Sequence, residues 1–251
     1  MKILIKTLLF LFVFIASISA EEEQRFQKGN ESYAEGDYEQ AIEMYEDVLQ
    51  SGLEGAALYY NLGNAYYKTG ELPRAILNYE RALLHAPQDK DIRHNLELAY
   101  SQTTDEIERV DSFFLTEWYR DLRNLNDSDG WAIWSVVCFI LVLTSLGIYF
   151  YGRNVPLKKI AFALSFIFLI TSGITFAFSA RQKEKLTEES HAIIFTPSVN
   201  IKSSPDQSGT NLFVLHEGTK VELLNKIGEW WNVKLEDGSE GWIQESDIEI
   251  I

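Results

Sequence analysis

The 251-residue sequence contains one cysteine, Cys138, and only four histidines, two methionines and five prolines. A lone thiol cannot form a disulfide within the chain, and this one lies inside a long apolar run, so neither a disulfide framework nor thiolate metal chemistry is expected. None of His85, His94, His191 and His216 stands at ligand spacing with a Cys, Asp or Glu. His216-Glu217 lacks a second histidine four residues after the first, which excludes the zinc-protease pattern. There is no glycine-rich phosphate loop and no Gly-x-Ser-x-Gly elbow. Paired carboxylates such as Asp105-Glu106 fall in runs that read as solvated faces. The two longest apolar runs carry no ionisable side chain that could form an ion path. Catalytic, metal and cofactor residues are therefore all expected to be absent, and the chain is not expected to be an enzyme.

Basic residues are also scarce. Residues 21–130 hold 24 Asp and Glu against 10 Lys and Arg, a net of −14, and residues 191–251 hold 10 against 4, a net of −6. Binding phosphates needs clustered Lys and Arg, so nucleic acid is excluded as a partner and protein is favoured.

What is present is a repeat. Gly29, Asn30, Gly36, Ala41, Ile42, Tyr45 and Leu49 recur 34 residues later as Gly63, Asn64, Gly70, Ala75, Ile76, Tyr79 and Leu83. The spacing places Tyr59, Leu62 and Tyr66 on one face of a helix, and Ala75, Tyr79 and Ala82 on a face of the next. Small Gly63 and Ala75 let the two backbones approach. Gly36 and Gly70 close the first helix of each pair, where a left-handed residue is required, and Pro87 stops the second helix of the later pair. This 34-residue pattern resembles the tetratricopeptide repeat (TPR), most closely in Leu62, Gly63, Tyr66, Gly70, Ala75, Tyr79, Ala82 and Pro87. The earlier unit departs from it at Ser32, Val48 and Leu53. A third unit opens at Lys90, with Leu96 and Tyr100 in place, but Glu97 replaces the glycine, so residues 90–104 read as a capping helix.

The resemblance implies an α-helical repeat with a concave groove lined by Asn30, Tyr33, Tyr60, Asn61, Asn64, Tyr67 and Asn95. Those asparagines have two readings of equal weight, holding the backbone of an extended peptide or bridging neighbouring helices. The carboxylate-clamp variety of the family needs basic residues where this chain has Phe26, Asp91 and Asn95, which disfavours an acidic C-terminal tail as ligand.

Apolar residues gather in three blocks. Residues 1–20 carry Lys2 and Lys6, an apolar stretch from Leu8 to Ile15 and a small-residue run to Ala20, and read as a signal peptide. Residues 131–151 and 160–180 are each long enough, at about 1.5 Å per residue, to cross a hydrocarbon layer of roughly 30 Å. They read as two transmembrane helices joined by a cytoplasmic loop at 152–159. Arg153, Lys158 and Lys159 in that loop agree with the positive-inside rule, whereas Arg181, Lys183 and Lys185 argue the other way. The signal segment decides the orientation and puts residues 21–104 and the C-terminal region outside the cytoplasm. Residues 105–130 form a juxtamembrane amphipathic segment in which Phe113, Phe114, Leu115, Trp118, Tyr119, Leu122 and Leu125 crowd one side of a helix. Packing against the membrane surface and packing against the repeats are both open to it.

After a charged linker at 181–190 the pattern changes to period two. Strands are expected at His191 to Phe195, Leu212 to Leu215, Lys220 to Leu224, Trp231 to Leu235 and Gly241 to Gln244, with a hairpin turn at Asp237-Gly238. Together with Val199 to Pro205, Leu215 to Gly218 and Trp230 to Val233, this order over residues 191–251 resembles bacterial Src-homology-3-type domains and implies a small all-β barrel. Alternation turns Trp231, Val233 and Leu235 inward and Trp230 outward, either as a second ligand contact or covered by a loop. Domains of this type often bind cell-wall peptides, so peptidoglycan is a further possible partner.

The order of signal segment, TPR, membrane hairpin and terminal barrel resembles the BatE family, the TPR-containing proteins of the Bacteroides aerotolerance (Bat) operon. That resemblance implies an inner-membrane scaffold or adaptor with periplasmic TPR and C-terminal domains. It also implies work beside von Willebrand-type Bat proteins and a MoxR-type ATPase, in a complex linked to aerotolerance or envelope stress.

Overall fold

A computed structural model describes residues 21–107, 114–186 and 190–251. The expected signal peptide lies outside the described residues, as do positions 108–113 of the juxtamembrane segment and 187–189 of the linker. The chain forms two compact units.

The first unit begins with helices α1 (residues 21–35), α2 (Tyr38–Gln50), α3 (Ala56–Thr69), α4 (Leu72–His85) and α5 (Lys90–Tyr100). Gly36 and Gly70 end α1 and α3 with φ of 85° and 84°, a conformation that costs glycine nothing. Asp37 then caps α2 by accepting the Gln40 amide at 3.1 Å. The core between helices holds Tyr45, Leu62, Ala75, Ile76, Tyr79 and Ala82, all nearly or fully buried. Burial of a side chain such as Leu62 contributes about 2 kcal/mol. Close helix approach explains two of the repeated glycines. A Cβ at Gly29 would sit 2.6 Å from the Tyr45 ring, and one at Gly63 would sit 2.8 Å from the Tyr79 ring.

The same unit includes a seven-stranded antiparallel sheet of β1 (His191–Ile194), β2 (Ser198–Lys202), β3 (Asn211–His216), β4 (Lys220–Ile227), β5 (Trp230–Lys234), β6 (Glu240–Gln244) and β7 (Ile248–Ile250). Their order is β3-β2-β6-β5-β4-β1-β7. Five strands fall where alternation puts them. β2 and β7 are additional, and β2 turns Ile201 into the core while Asn200 faces out. Ala192, Ile194, Ile201, Val221, Val233 and Ile243 form one cluster against which Trp231 packs. Gly238 takes the positive φ of the β5–β6 turn.

The repeat helices and the sheet contact each other within this unit. The Asp105 carboxylate accepts the His216 amide at 2.7 Å and the Thr219 hydroxyl at 2.8 Å, and lies 2.7 Å from His216 Nδ1. Lys220 pairs with Glu80 at 2.7 Å, and Arg81 on α4 donates to the Ile250 carbonyl at 2.6 Å. Gly218 approaches so closely that a Cβ there would lie 2.9 Å from Thr103 and 3.2 Å from Ile76.

The second unit contains α6 (Phe114–Arg123), α7 (Ser128–Tyr151) and α8 (Val155–Lys185). α7 and α8 are long and apolar enough to cross a membrane. Both exceed the apolar runs that define them. Asp127 caps α7 by accepting the Gly130 amide at 2.7 Å, which starts the helix three residues early. Residues 155–159, expected in the loop, are helical, because Pro156 stands in the first turn where a missing amide is harmless. Residues 181–185 extend α8 into the expected linker. The facing sides of α7 and α8 are small and polar. Ser135 and Ser172 each donate to the other's carbonyl, at 3.1 and 3.0 Å, and Ser128 donates to the Ser179 carbonyl at 3.2 Å.

Candidate functional site

One side of the repeat helices carries two copies of one hydrogen-bonded pattern. In the first, Asn30 Oδ1 accepts the Tyr45 hydroxyl at 2.8 Å and the Asn61 amide at 2.9 Å. In the second, 34 residues on, Asn64 Oδ1 accepts the Tyr79 hydroxyl at 2.8 Å and the Asn95 amide at 2.9 Å. Each of these two asparagine oxygens accepts from neighbouring helices and so bridges them. The tyrosine below each bridge packs on an aromatic of the preceding helix. Phe26 and Tyr45 have ring centroids 5.8 Å apart, and Tyr60 and Tyr79 are 6.0 Å apart.

Two further bonds obey the same period. Tyr66 donates to Glu46, and Tyr100 donates to Glu80 at 2.7 Å. The pattern ends at Leu98, which stands where a third asparagine would fall.

Above the second bridge lies an open groove of about 290 Å³, lined by Tyr33, Tyr60, Asn64, Tyr67, Lys68, Tyr79, Asn95 and Leu98. It gathers five of the seven expected groove residues. Asn30 and Asn61 belong to the first bridge and lie outside it. Asn95 also donates to the Tyr60 hydroxyl at 3.0 Å, and Gln102 donates to the Tyr67 hydroxyl. Those phenol oxygens accept from the protein and keep their own protons to donate. Lys68, Tyr79 and Leu98 were not anticipated as groove residues. Continuing the period from Asn30 through Asn64 would have reached Leu98. Tyr79 reads as a core residue because its ring is one, and only its hydroxyl reaches the groove.

Burial raises the hydroxyls of Tyr33, Tyr45 and Tyr79 above the ordinary phenol range. The Tyr45 hydroxyl is pushed up to about 12 by burial, with Tyr33 adding to the rise. Burial also raises Tyr79, followed by its neighbours Tyr60 and Tyr33, and burial raises Tyr33 itself. The groove therefore presents phenol hydroxyls, flat aromatic faces and the Lys68 side chain. Such a surface suits acceptor groups and apolar side chains, and no nucleophile is matched with a base among its lining residues.

A second cavity of about 460 Å³ lies between the end of α5 and the sheet, bordered by Glu80, Glu97, Asp105, Glu106 and Glu236. Two of its acids are engaged. Glu80 holds Lys220 and Tyr100, and Asp105 holds His216 and Thr219. Burial alone would raise Asp105, but the hydrogen bonds from the His216 side chain and amide and from Thr219 outweigh it and hold the carboxyl below its usual range. No cluster of three or more His, Cys, Asp or Glu residues placed to hold a metal occurs among the described residues.

On the sheet, Trp230 is half-buried on the outer face of β5. Asn232 shares that face and pairs directly with Trp242, which in turn pairs with Lys202. Trp230 thus belongs to an aromatic patch edged by lysine in an otherwise acidic domain.

No curated protein matches the chain. Residues 26–91 match the tetratricopeptide repeat family and residues 197–249 match the bacterial SH3 domain family. The molecule thus joins a helical repeat of the kind that mediates protein–protein interaction to an antiparallel sheet of the SH3 type, with two potential membrane-spanning helices between them in the sequence.

Proposed function

We propose that this protein is a non-enzymatic, membrane-anchored scaffold that holds a segment of a partner protein in the groove of its repeat helices. The groove over the second asparagine bridge is the observation that carries this reading. The Asn64 oxygen and the Asn95 amide are engaged in internal bonds, while Tyr33, Tyr60, Tyr67, Lys68 and Leu98 offer donors and apolar area outward. Asn64 is unsuited to a test of capture, because it also supports buried Tyr79. The informative change is Tyr33→Ala with Leu98→Ala. A photo-crosslinker at Tyr67 in native membranes should capture a partner that a crosslinker at exposed Glu43 does not, and the double substitution should abolish that capture. Unchanged capture rejects the groove.

The contacts of Asp105, Glu80 and Arg81 with the sheet support a common side of the membrane for both soluble parts. Two crossings between them return the chain to the side it left. With the signal reading of residues 1–20, that side is the periplasm of a bacterial inner membrane. The module order, as in the BatE family, supports a place beside von Willebrand-type Bat proteins in an envelope complex linked to aerotolerance or envelope stress. A reporter fused after Ile251 should be active outside the cytoplasm and inactive within it.

A second reading is favoured by the patch of Trp230 and Trp242 edged by Lys202. Aromatic faces suit sugar rings and lysine suits the carboxylates of a cell-wall peptide, so the SH3 domain is proposed to tether the protein to peptidoglycan. Retention of the solubilised full chain on purified peptidoglycan should fall with Trp230→Ala. No retention of the unaltered protein removes this reading.

A further inference from the structure

We infer that α6 is a third membrane contact, lying in the boundary between headgroups and acyl chains with lipid covering its apolar face. The inference rests on the proposed insertion of α7 and α8.

Phe114, Trp118, Leu122 and Leu125 recur at intervals that place them on one side of the helix, with Leu115 beside them. Phe114 is 68% exposed, Trp118 63% and Leu125 58%, an unusual cost for residues of this size in water. The position of the helix decides what covers them. Its last residue is held by two side chains of the hairpin, since the Arg123 carbonyl accepts Trp131 Nε1 at 2.7 Å and Gln182 Nε2 at 3.1 Å. Gln182 also donates to the Asn126 carbonyl at 3.0 Å. One turn earlier the Tyr119 ring stands edge-on to Phe178, with centroids 5.7 Å apart.

Phe178 and Gln182 are on either side of the point where the apolar run of α8 ends at Ala180 and the charged run begins at Arg181. At about 1.5 Å per residue the two ties bracket roughly 6 Å of the helix axis. The end of α6 is therefore fixed at the height where hydrocarbon gives way to headgroups. The apolar face continues the lipid-facing surface of the hairpin, and Arg120 and Arg123 in the last turn match the phosphates of that layer. A bilayer is the occupant already present at that height.

The test uses the full chain with Cys138→Ser, reconstituted in vesicles of phosphatidylethanolamine and phosphatidylglycerol. An environment-sensitive fluorophore is placed by Leu115→Cys, by Thr116→Cys on the polar side, or by Ile140→Cys in the middle of α7. A probe at 115 should be quenched more by lipids labelled near the headgroup than by lipids labelled at the chain end. It should also be protected several-fold from aqueous iodide relative to 116. The probe at 140 should show the opposite depth order.

If 115 is as open to iodide as 116 while 140 is quenched by lipid, the inference fails and the hairpin reading survives. If 140 is not quenched by lipid, insertion itself fails and the inference falls with it. Protection at 115 without lipid quenching, relieved by diluting the protein in excess lipid, assigns the face to a second copy and overturns the inference.

Discussion

The two units of this molecule each align their helices with a ladder of polar side chains, but they do so with different chemistry. In the repeat helices an asparagine oxygen accepts from a tyrosine and a second asparagine, so side chain bonds to side chain. In the hairpin, serines bond to the backbone carbonyl of the opposite helix. The glycines differ in the same sense. Gly29 and Gly63 are pressed against tyrosine rings, while a Cβ at Gly147 or Gly173 would meet nothing within 4 Å. The repeat unit thus has its register set by shape and by satisfied polar groups together. The apolar helices expose apolar side chains along most of their surface and take their register from a few serines.

Gly63→Val should break this contrast most sharply. Its side chain would have to displace the Tyr79 ring and the Ala75 carbonyl, costing about 3 kcal/mol. Gly147→Val in the hairpin should be near neutral, and chemical denaturation of the solubilised protein followed by circular dichroism would compare the two.

Asn64→Ala should cost about 2 kcal/mol, because it leaves the hydroxyl of fully buried Tyr79 and the amide of Asn95 without their shared acceptor. The same measurement should give a smaller loss for Asn61→Ala, which leaves the Tyr45–Asn30 bond in place.

Acid should separate the asparagine ladder from the carboxylate that joins the helices to the sheet. The folded Asp105 carboxyl is depressed, so its contribution is present above the ordinary carboxylate range and is lost as pH falls through the folded value, below about pH 4. Asp105→Asn should lower thermal stability at neutral pH and flatten its decline towards acid. An unchanged pH profile would show that the contact adds nothing. The smallest effect belongs to the hairpin, where Ser172→Ala should cost only about 0.6 kcal/mol, read by steric-trap or denaturant titration in detergent.

Much of the architecture is legible because it repeats. A 34-residue period identifies α1 to α4, and the positive φ of Gly36 and Gly70 follows from where the helices must stop. Strands with a run of inward residues were equally plain. β7, only three residues long, and β2, whose polar alternate positions resemble a loop, were not. The asparagines could be placed on the groove side from the period, but whether they face a ligand or each other depends on the packing distance between helices, which the period does not contain. Nothing local connects Asp105 with His216 and Thr219, 111 and 114 positions away. Such pairings are products of tertiary docking and leave no periodic trace.

One of these long-range bonds has a consequence for biogenesis. Lys220 meets Glu80 only after 140 positions of chain, which include both candidate spans, have been made. A hairpin that crossed only once would leave the ammonium and the carboxylate in separate compartments. Under the proposed insertion, closure of that ion pair therefore tells a double crossing from a single one, and a chain halted after α7 would leave this face of α4 bare.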